Sequence, residues 1–278
     1  AEGKVIDDGL VARLEPDLFR LTSAEPNLRW LADNAPGLEV DLEDESEKVA
    51  ALALQGPNSR QILRRVVEPA GELATLRPFH LLRGSLGTIA ATITRTGYTG
   101  DLGYEIWVEA GAAVEAWDLL QDVGAGYGLL PAGLLALDLA RVEAGLILIE
   151  VDYVPAPRAL AASQTSSPFE LNLGWAVDLD AAPFNGWRAL REEKERGSAW
   201  QLVGLEVDWE ALESLYAAEG LPPHVPSTAW RGSAPVYEGR RQVGYATSGA
   251  WSPLLKRYVA LAHLPAGHAR AGTRLAME

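Results

Sequence analysis

The sequence predicts an α+β protein whose main body is followed by a small C-terminal β-barrel-like domain. Three observations lead there. Strand-like apolar runs alternate with amphipathic helical runs through about residue 190. A charged break at Glu192–Gly197 then precedes a tail of short strands interrupted by proline and glycine. The chain's 278 residues, 48% of them hydrophobic, suffice for a sizeable core and about two domains. The expected boundaries are residues 1–195 for the body and 196–278 for the tail.

The elements follow in order. Residues 4–22 read as two strands, with a polar turn at Asp7-Asp8-Gly9 and another at Glu15-Pro16-Asp17. Residues 24–35 read as a helix opening near Pro26, with Leu28, Trp30 and Leu31 on its buried side. Val49–Leu54 is a buried strand ending at Gln55-Gly-Pro57. Asn58 is placed to cap a helix running to Val67, whose apolar residues Ile62, Leu63 and Val66 have helical spacing. Leu81–Thr94 reads as a hairpin turning at Gly84-Ser-Leu-Gly87, and residues 103–108 as a strand. Ala110–Val123 is an amphipathic helix with Val114, Trp117, Leu119 and Leu120 on one side. Leu134–Leu146 is another, and Trp209–Ala218 is the one helix of the tail. Val5-Ile6 reads as strand almost at once, and Gly272–Glu278 stops inside a strand-like run. The sequence thus reads as part of a longer one.

Composition excludes several classes of function. A net charge of −14 and a pI near 4.8 argue against a nucleic-acid-coating protein, which needs a basic face to displace counterions. The absence of cysteine removes disulfides, thiolate metal sites and a cysteine nucleophile, and fits a cytoplasmic protein. No run approaches the length of a membrane-spanning helix. The four histidines, His80, His224, His263 and His268, lack metal-ligand spacing, so no metal site is expected. Gly124-Ala-Gly-Tyr-Gly128 follows a helix and reads as its terminus, not as a dinucleotide loop.

Two groups of residues carry potential chemistry. In Gly97-Tyr-Thr-Gly-Asp-Leu-Gly-Tyr-Glu105, glycines permit a sharp turn and close approach to a ligand. Tyr98 and Tyr104 offer flat faces, and Glu105 offers a carboxylate to ring N–H groups. The same residues fit an ordinary glycine turn with both tyrosines in the core. Asp7-Asp8 is a carboxylate pair whose mutual repulsion raises one proton affinity and suits it to proton handling; it also fits a plain polar turn. Arg141 and Glu143, among apolar residues of a helix, read as ion-pairing groups that tie the helix to its neighbours.

With these motifs in hand, the chain resembles the folate-dependent aminomethyltransferases, the T protein of the glycine cleavage system and its relatives. The family's Gly-Tyr-Thr-Gly-Glu-x-Gly-Tyr-Glu run matches residues 97–105, with Asp101 in place of Glu. The family's Gln-Gly-Pro and its Ala-Arg-Asp-x-x-Arg-Leu-Glu-Ala-Gly helix correspond to Gln55-Gly-Pro57 and Ala136–Gly145. Leu173-Gly-Trp175, Phe184–Leu190 and Gly244–Pro253 follow in family order.

The resemblance implies mixed and antiparallel sheets flanked by helices, a tetrahydrofolate site, and one-carbon transfer of the aminomethyltransferase type. The one-carbon donor is a small molecule or a group borne by a lipoyl carrier protein. By resemblance, Asp7 is the carboxylate near the reactive folate nitrogen, where it handles protons and charge. Glu105 holds the pterin ring and Tyr98 lines its pocket. Two departures weaken the lipoyl assignment. The family arginine before the helix aspartate is Leu137 here, and Thr22-Ser23 stands where a folate-site asparagine is expected. They favour, as alternatives, a tetrahydrofolate-dependent O- or S-demethylase or a non-catalytic folate-binding lobe of a larger oxidase. Relatives that serve iron–sulfur assembly depend on a cysteine motif, which this chain lacks.

Overall fold

The computed structural model describes residues 2–278. The chain divides into two compact units, Leu10–Gly133 and Ala1–Gly9 with Leu134–Glu278.

In the first of these, β1 (Leu10–Glu15) and β2 (Leu18–Thr22) form a hairpin across the expected Pro16-Asp17 turn. The short helix α1 (Leu28–Asn34) follows. Then come β3 (Val49–Gln55), α2 (Ser59–Leu63), β4 (Val67–Glu68), α3 (Ala70–Thr75), β5 (Leu81–Leu86), β6 (Ile89–Thr94), β7 (Gly103–Glu109) and α4 (Ala113–Gly124). The five strands form one antiparallel sheet in the order β3-β7-β6-β5-β4.

Period-two alternation sorts this sheet's side chains. Leu82, Leu86, Ile93, Tyr104, Ile106 and Val108 enter a core shared with Ile62, Leu63, Leu73 and Leu120 of the helices. Arg83, Thr92, Thr94, Glu105 and Trp107 hold the alternate positions. A cleft of about 470 Å³ is lined by Thr92, Thr94 and Trp107 together with hairpin residues that include Val11, Arg13 and Arg20.

Several elements differ from expectation. Residues 4–9 do not pair with β1; Val5 instead makes backbone hydrogen bonds with Ser166 and Ala156 of its own unit. Helix α1 buries none of its residues, and Trp30 is 45% exposed. With Val11, Phe19, Leu38 and Val40 also exposed, residues 10–42 carry uncovered apolar surface. Helix α2 stops at Leu63 because Val67 joins the sheet as β4. Its Asn58 makes no cap, and the amide donates to the Tyr127 carbonyl at 3.0 Å. The β5–β6 turn lies at Gly87-Thr88, not at Gly84. Gly84 lies within β5, where a Cβ would sit 1.9 Å from the Glu68 carbonyl, so the position requires glycine for close packing and not for a turn. In α4 the buried stripe is Ala116, Leu120 and Gly124, one turn apart, so the larger Val114 and Trp117 face outward.

In the other unit, α5 (Leu134–Ala144) ends where Gly145 takes a left-handed conformation (φ +73). The charged stretch expected as a break is helix α6 (Trp187–Arg196), which ends at Gly197. Beyond it, β8 (Trp200–Glu206), α7 (Trp209–Ala218), β9 (Trp230–Glu238), β10 (Arg241–Ser252), β11 (Arg257–Pro265) and β12 (Ala276–Met277) follow. Their five-stranded antiparallel sheet runs β12-β9-β10-β11-β8. Val236, Ala246, Ala260, Ala262 and Leu264 form one core of this unit. Val5, Ile147, Tyr153, Leu171, Leu202 and Leu261 form a second.

Candidate functional site

The glycine run lies in Leu10–Gly133, on the β6–β7 connection, and its shape depends on Gln55. The Gln55 amide donates to the carbonyls of Thr96 (3.3 Å) and Tyr104 (3.2 Å), one on each side of the loop's neck. Its Oε1 accepts from the Thr99 hydroxyl at 3.2 Å. A Cβ on Gly97 or Gly103 would lie 2.1 or 1.8 Å from that same oxygen. These two glycines therefore make room for a protein side chain, not for a ligand as their residue type first suggests. Gly100 (φ +74) is the one that supplies the left-handed turn. The Gln-Gly-Pro motif and the glycine run are thus two halves of one device. Gly103→Ala is expected to cost about 1–3 kcal/mol by overpacking against Gln55. Gly103→Ala with Gln55→Ala should recover part of that loss in urea denaturation. A single substitution without cost, or a double variant no better than the single, would refute the arrangement.

The two tyrosines separate. Tyr104 is wholly buried, and its hydroxyl accepts from Arg60 Nε at 2.9 Å, so it belongs to the core. Tyr98 is half-buried within the loop. Glu105, also half-buried, faces Thr94 across the β6–β7 ladder. Its Oε2 accepts from Thr96 Oγ1 (2.5 Å) and Thr94 Oγ1 (3.5 Å), and the Trp107 indole donates to Thr94 Oγ1 (3.3 Å). No hydrogen bond from the described residues reaches Oε1. One carboxylate oxygen is held by threonines while the other keeps its acceptor capacity, which suits a group that must receive donors from a ring.

Asp7 and Asp8 lie in the other unit, in the half-buried segment that leads from Val5. Asp8 Oδ1 accepts the Tyr153 hydroxyl at 2.5 Å. Burial pushes the Asp8 carboxyl above its ordinary value; the tyrosine bond opposes that shift, and the neighbouring Asp7 charge adds to it. The Tyr153 hydroxyl is pushed up, first by burial and then by its Asp8 partner, so it stays protonated and acts as a donor. Sequence reasoning missed Tyr153. Its local signal is its place beside Asp152 in the mostly apolar run 145–154 after α5.

Asp152 is the hub of a buried polar network that sequence reasoning only partly foresaw. Arg141, wholly buried, donates Nε to Asp138 Oδ1 (2.9 Å), Nη1 to Asp152 Oδ2, and Nη2 to Ser248 Oγ (2.9 Å). The hydroxyls of Thr247 (2.5 Å) and Ser248 (2.6 Å) both donate to Asp152 Oδ1, and the Leu148 amide donates to Oδ2 (2.9 Å). Successive strand residues ordinarily point to opposite faces. Here the ladder slips between Ala246 and Ser248 on both sides of β10, and this bulge turns two consecutive hydroxyls to one carboxylate. The Asp152 carbonyl accepts from His263 Nε2 at 2.6 Å, which fixes that nitrogen as the protonated one. Burial depresses the His263 imidazole below its usual range, which keeps it neutral. Burial works to raise Asp138, but the Arg231 and Arg141 guanidiniums outweigh it and hold that carboxyl low. Arg141 thus makes the buried ion pair expected of it, and Glu143 accepts from the Ser252 hydroxyl at 2.5 Å. No cluster of His, Asp and Glu with metal-binding geometry occurs among the described residues, and none of their helices is long and apolar enough to cross a membrane.

Comparison with known proteins agrees with this architecture. The GCVT N-terminal domain family matches residues 1–181, and the glycine cleavage T-protein C-terminal barrel domain matches residues 220–278. The chain is 34% identical to an aminomethyltransferase of Halothermothrix orenii, over 95% of this chain and 67% of that protein. It is also 34% identical to one of Bacillus pumilus, over 98% and 68%. A trimethylamine-oxide aldolase of Ruegeria pomeroyi is likewise 34% identical, over 98% of this chain but 33% of its own length. The crystal structure of glycine cleavage system aminomethyltransferase T from Bartonella henselae superposes with a TM-score of 0.75 at 26% identity, covering all of this chain and 69% of that one. The chain thus spans about two thirds of the length of the aminomethyltransferases it matches. With an antiparallel sheet ending in the Gln55-pinned glycine loop, and a C-terminal antiparallel sheet with its bulge at Thr247, the chain belongs to the glycine cleavage T-protein (GCVT) family.

Proposed function

We propose that the chain performs tetrahydrofolate-dependent one-carbon transfer of the aminomethyltransferase type. The observation that carries this reading is the loop 97–105: Gln55 pins its neck, and Glu105 keeps one carboxylate oxygen open to donors. Glu105 and Tyr98 are the residues proposed to hold the pterin, Glu105 by accepting from ring N–H and amino groups and Tyr98 by lining the pocket. The open Oε1 and the threonine-fixed Oε2 fit that task. Asp7 is the carboxylate proposed to take and return protons and to oppose positive charge as the one-carbon unit moves. Tetrahydrofolate, when bound, supplies the nitrogen that accepts the one-carbon unit. The protein supplies orientation and charge placement. A carrier protein that presents an aminomethyl-lipoyl group is the proposed partner, and the cytoplasm the proposed compartment.

Folate titration tests the ring site. Glu105→Gln is expected to weaken tetrahydrofolate binding by roughly 1.5–3 kcal/mol, about 10–100-fold in Kd. Equal affinity in both proteins would sink the pterin assignment. A second reading, folate-linked transfer from another donor, draws on two observations. Leu137 stands in place of the family arginine, and a relative of different name, trimethylamine-oxide aldolase, shares the same 34% identity, over 33% of its own length. Turnover assays with aminomethyl-lipoyl carrier, and then with methyl-ether and sulfonium donors, separate the two readings. Release of ammonia from the carrier supports the first, and activity only with the other donors supports the second.

A further inference from the structure

Tyr153 contributes its ring to the core formed with Val5, Ile147, Leu171, Leu202 and Leu261, and only 4% of its surface remains exposed. A ring clamped on all sides has one position for its hydroxyl. That hydroxyl meets Asp8, 145 residues away in sequence, at 2.5 Å. The backbone behind the ring is equally fixed. Asp152 closes the turn 148–152 through Leu148, and Arg141, Thr247 and Ser248 hold its carboxylate while His263 holds its carbonyl. On the other side, Val5 is tied by backbone bonds to Ser166 and Ala156, three residues before Asp8. We propose that Tyr153 is a positioning residue that fixes Asp8, and with it the Asp7–Asp8 pair, by linking the pair to the buried Arg141–Asp152 network. This rests on the proton-handling role proposed above for Asp7.

A structural role alone explains the bond less well. A buried tyrosine hydroxyl is satisfied by any backbone carbonyl. Here it is spent on a carboxylate whose ionisation burial opposes, with a second carboxylate next to it in the chain. A group whose folded-state proton affinity is raised gives its stabilisation below the unfolded value of 3.8 and loses it as pH rises through the folded value. Once ionised, Asp8 therefore costs stability, and the tyrosine donor reduces that cost by favouring the charged form. Asp7, Tyr153 and Asp152 are the titratable groups that act on Asp8.

Tyr153→Phe removes the hydroxyl and keeps the ring. In a folate-linked turnover assay it is expected to lower kcat about 10-fold, with the folate KM within about twofold, and to move the acid limb of the pH–rate profile to higher pH, because Asp8 loses the donor that favours its charged form. In Asp8→Asn the same substitution should produce no such movement. A second arm needs no substrate. Urea unfolding followed against pH should show the stability of Tyr153→Phe declining to higher pH than that of the wild type, with the difference abolished by Asp8→Asn. An unmoved profile in both arms, or a shift that persists with Asp8→Asn, overturns the proposal. If the wild type turns over no donor while the unfolding arm behaves as stated, the functional reading fails and the link from Tyr153 to Asp8 stands.

Discussion

Asp7→Asn is expected to lower kcat by about 10²–10⁴-fold while leaving tetrahydrofolate affinity close to that of the wild type. That range is what a positioned general acid or base contributes, about 3–5 kcal/mol of barrier. The amide keeps the shape of the carboxyl group but neither takes a proton nor opposes developing positive charge. The loss should therefore fall on the chemical step and not on binding. Unchanged kcat would remove Asp7 from the chemistry. Asp8→Asn, measured beside it, separates the members of the pair. Its amide oxygen still accepts the Tyr153 hydroxyl, so the anchor survives while the charge is lost. A loss with Asp8→Asn as large as that expected for Asp7→Asn, and none with Asp7→Asn itself, would place the reacting carboxylate at position 8.

The second large effect concerns stability. Arg141→Ala should destabilise the unit that contains it by about 3–5 kcal/mol, a large part of the 5–15 kcal/mol typical of a whole domain. The guanidinium has no solvent exposure and joins Asp138, Asp152 and Ser248 in three directions. Its removal leaves the Asp152 carboxylate, 1% exposed, without an ion-pair partner, while Asp138, 4% exposed, keeps only Arg231 at 2.8 Å. Arg141→Lys should also lose stability, because an ammonium lacks the planar fork that reaches all three partners. Urea denaturation measures both. A loss under about 1 kcal/mol for Arg141→Ala would mean that water or a rearranged partner replaces the guanidinium.

These expectations draw unequally on sequence and structure. The strand of residues 49–55, the helix of residues 209–218 and the end of α4 near Gly124 were legible, because periodicity and helix termination are local properties. The helix faces were less so. Helix α1 has an apolar pattern yet buries nothing, and α4 turns Ala116 and Gly124 inward in place of Val114 and Trp117. Which stripe is buried depends on the surface that covers it, and a helix sequence does not contain that surface.

The candidate site divides the same way. By itself the sequence determined the fold class, the glycine run, the Asp7–Asp8 pair and the resemblance that gives Tyr98 and Glu105 their proposed roles. Residue types at fixed short spacing carry that information. Only the tertiary structure decided that Gly97 and Gly103 yield to Gln55, that Tyr104 is core, that a bulge aims Thr247 and Ser248 at Asp152, and that Tyr153 reaches Asp8. Each of these is a contact across tens of residues or more. Hydrogen bonds and packing are made where the backbone brings groups within about 3–4 Å, and sequence separation does not fix that distance.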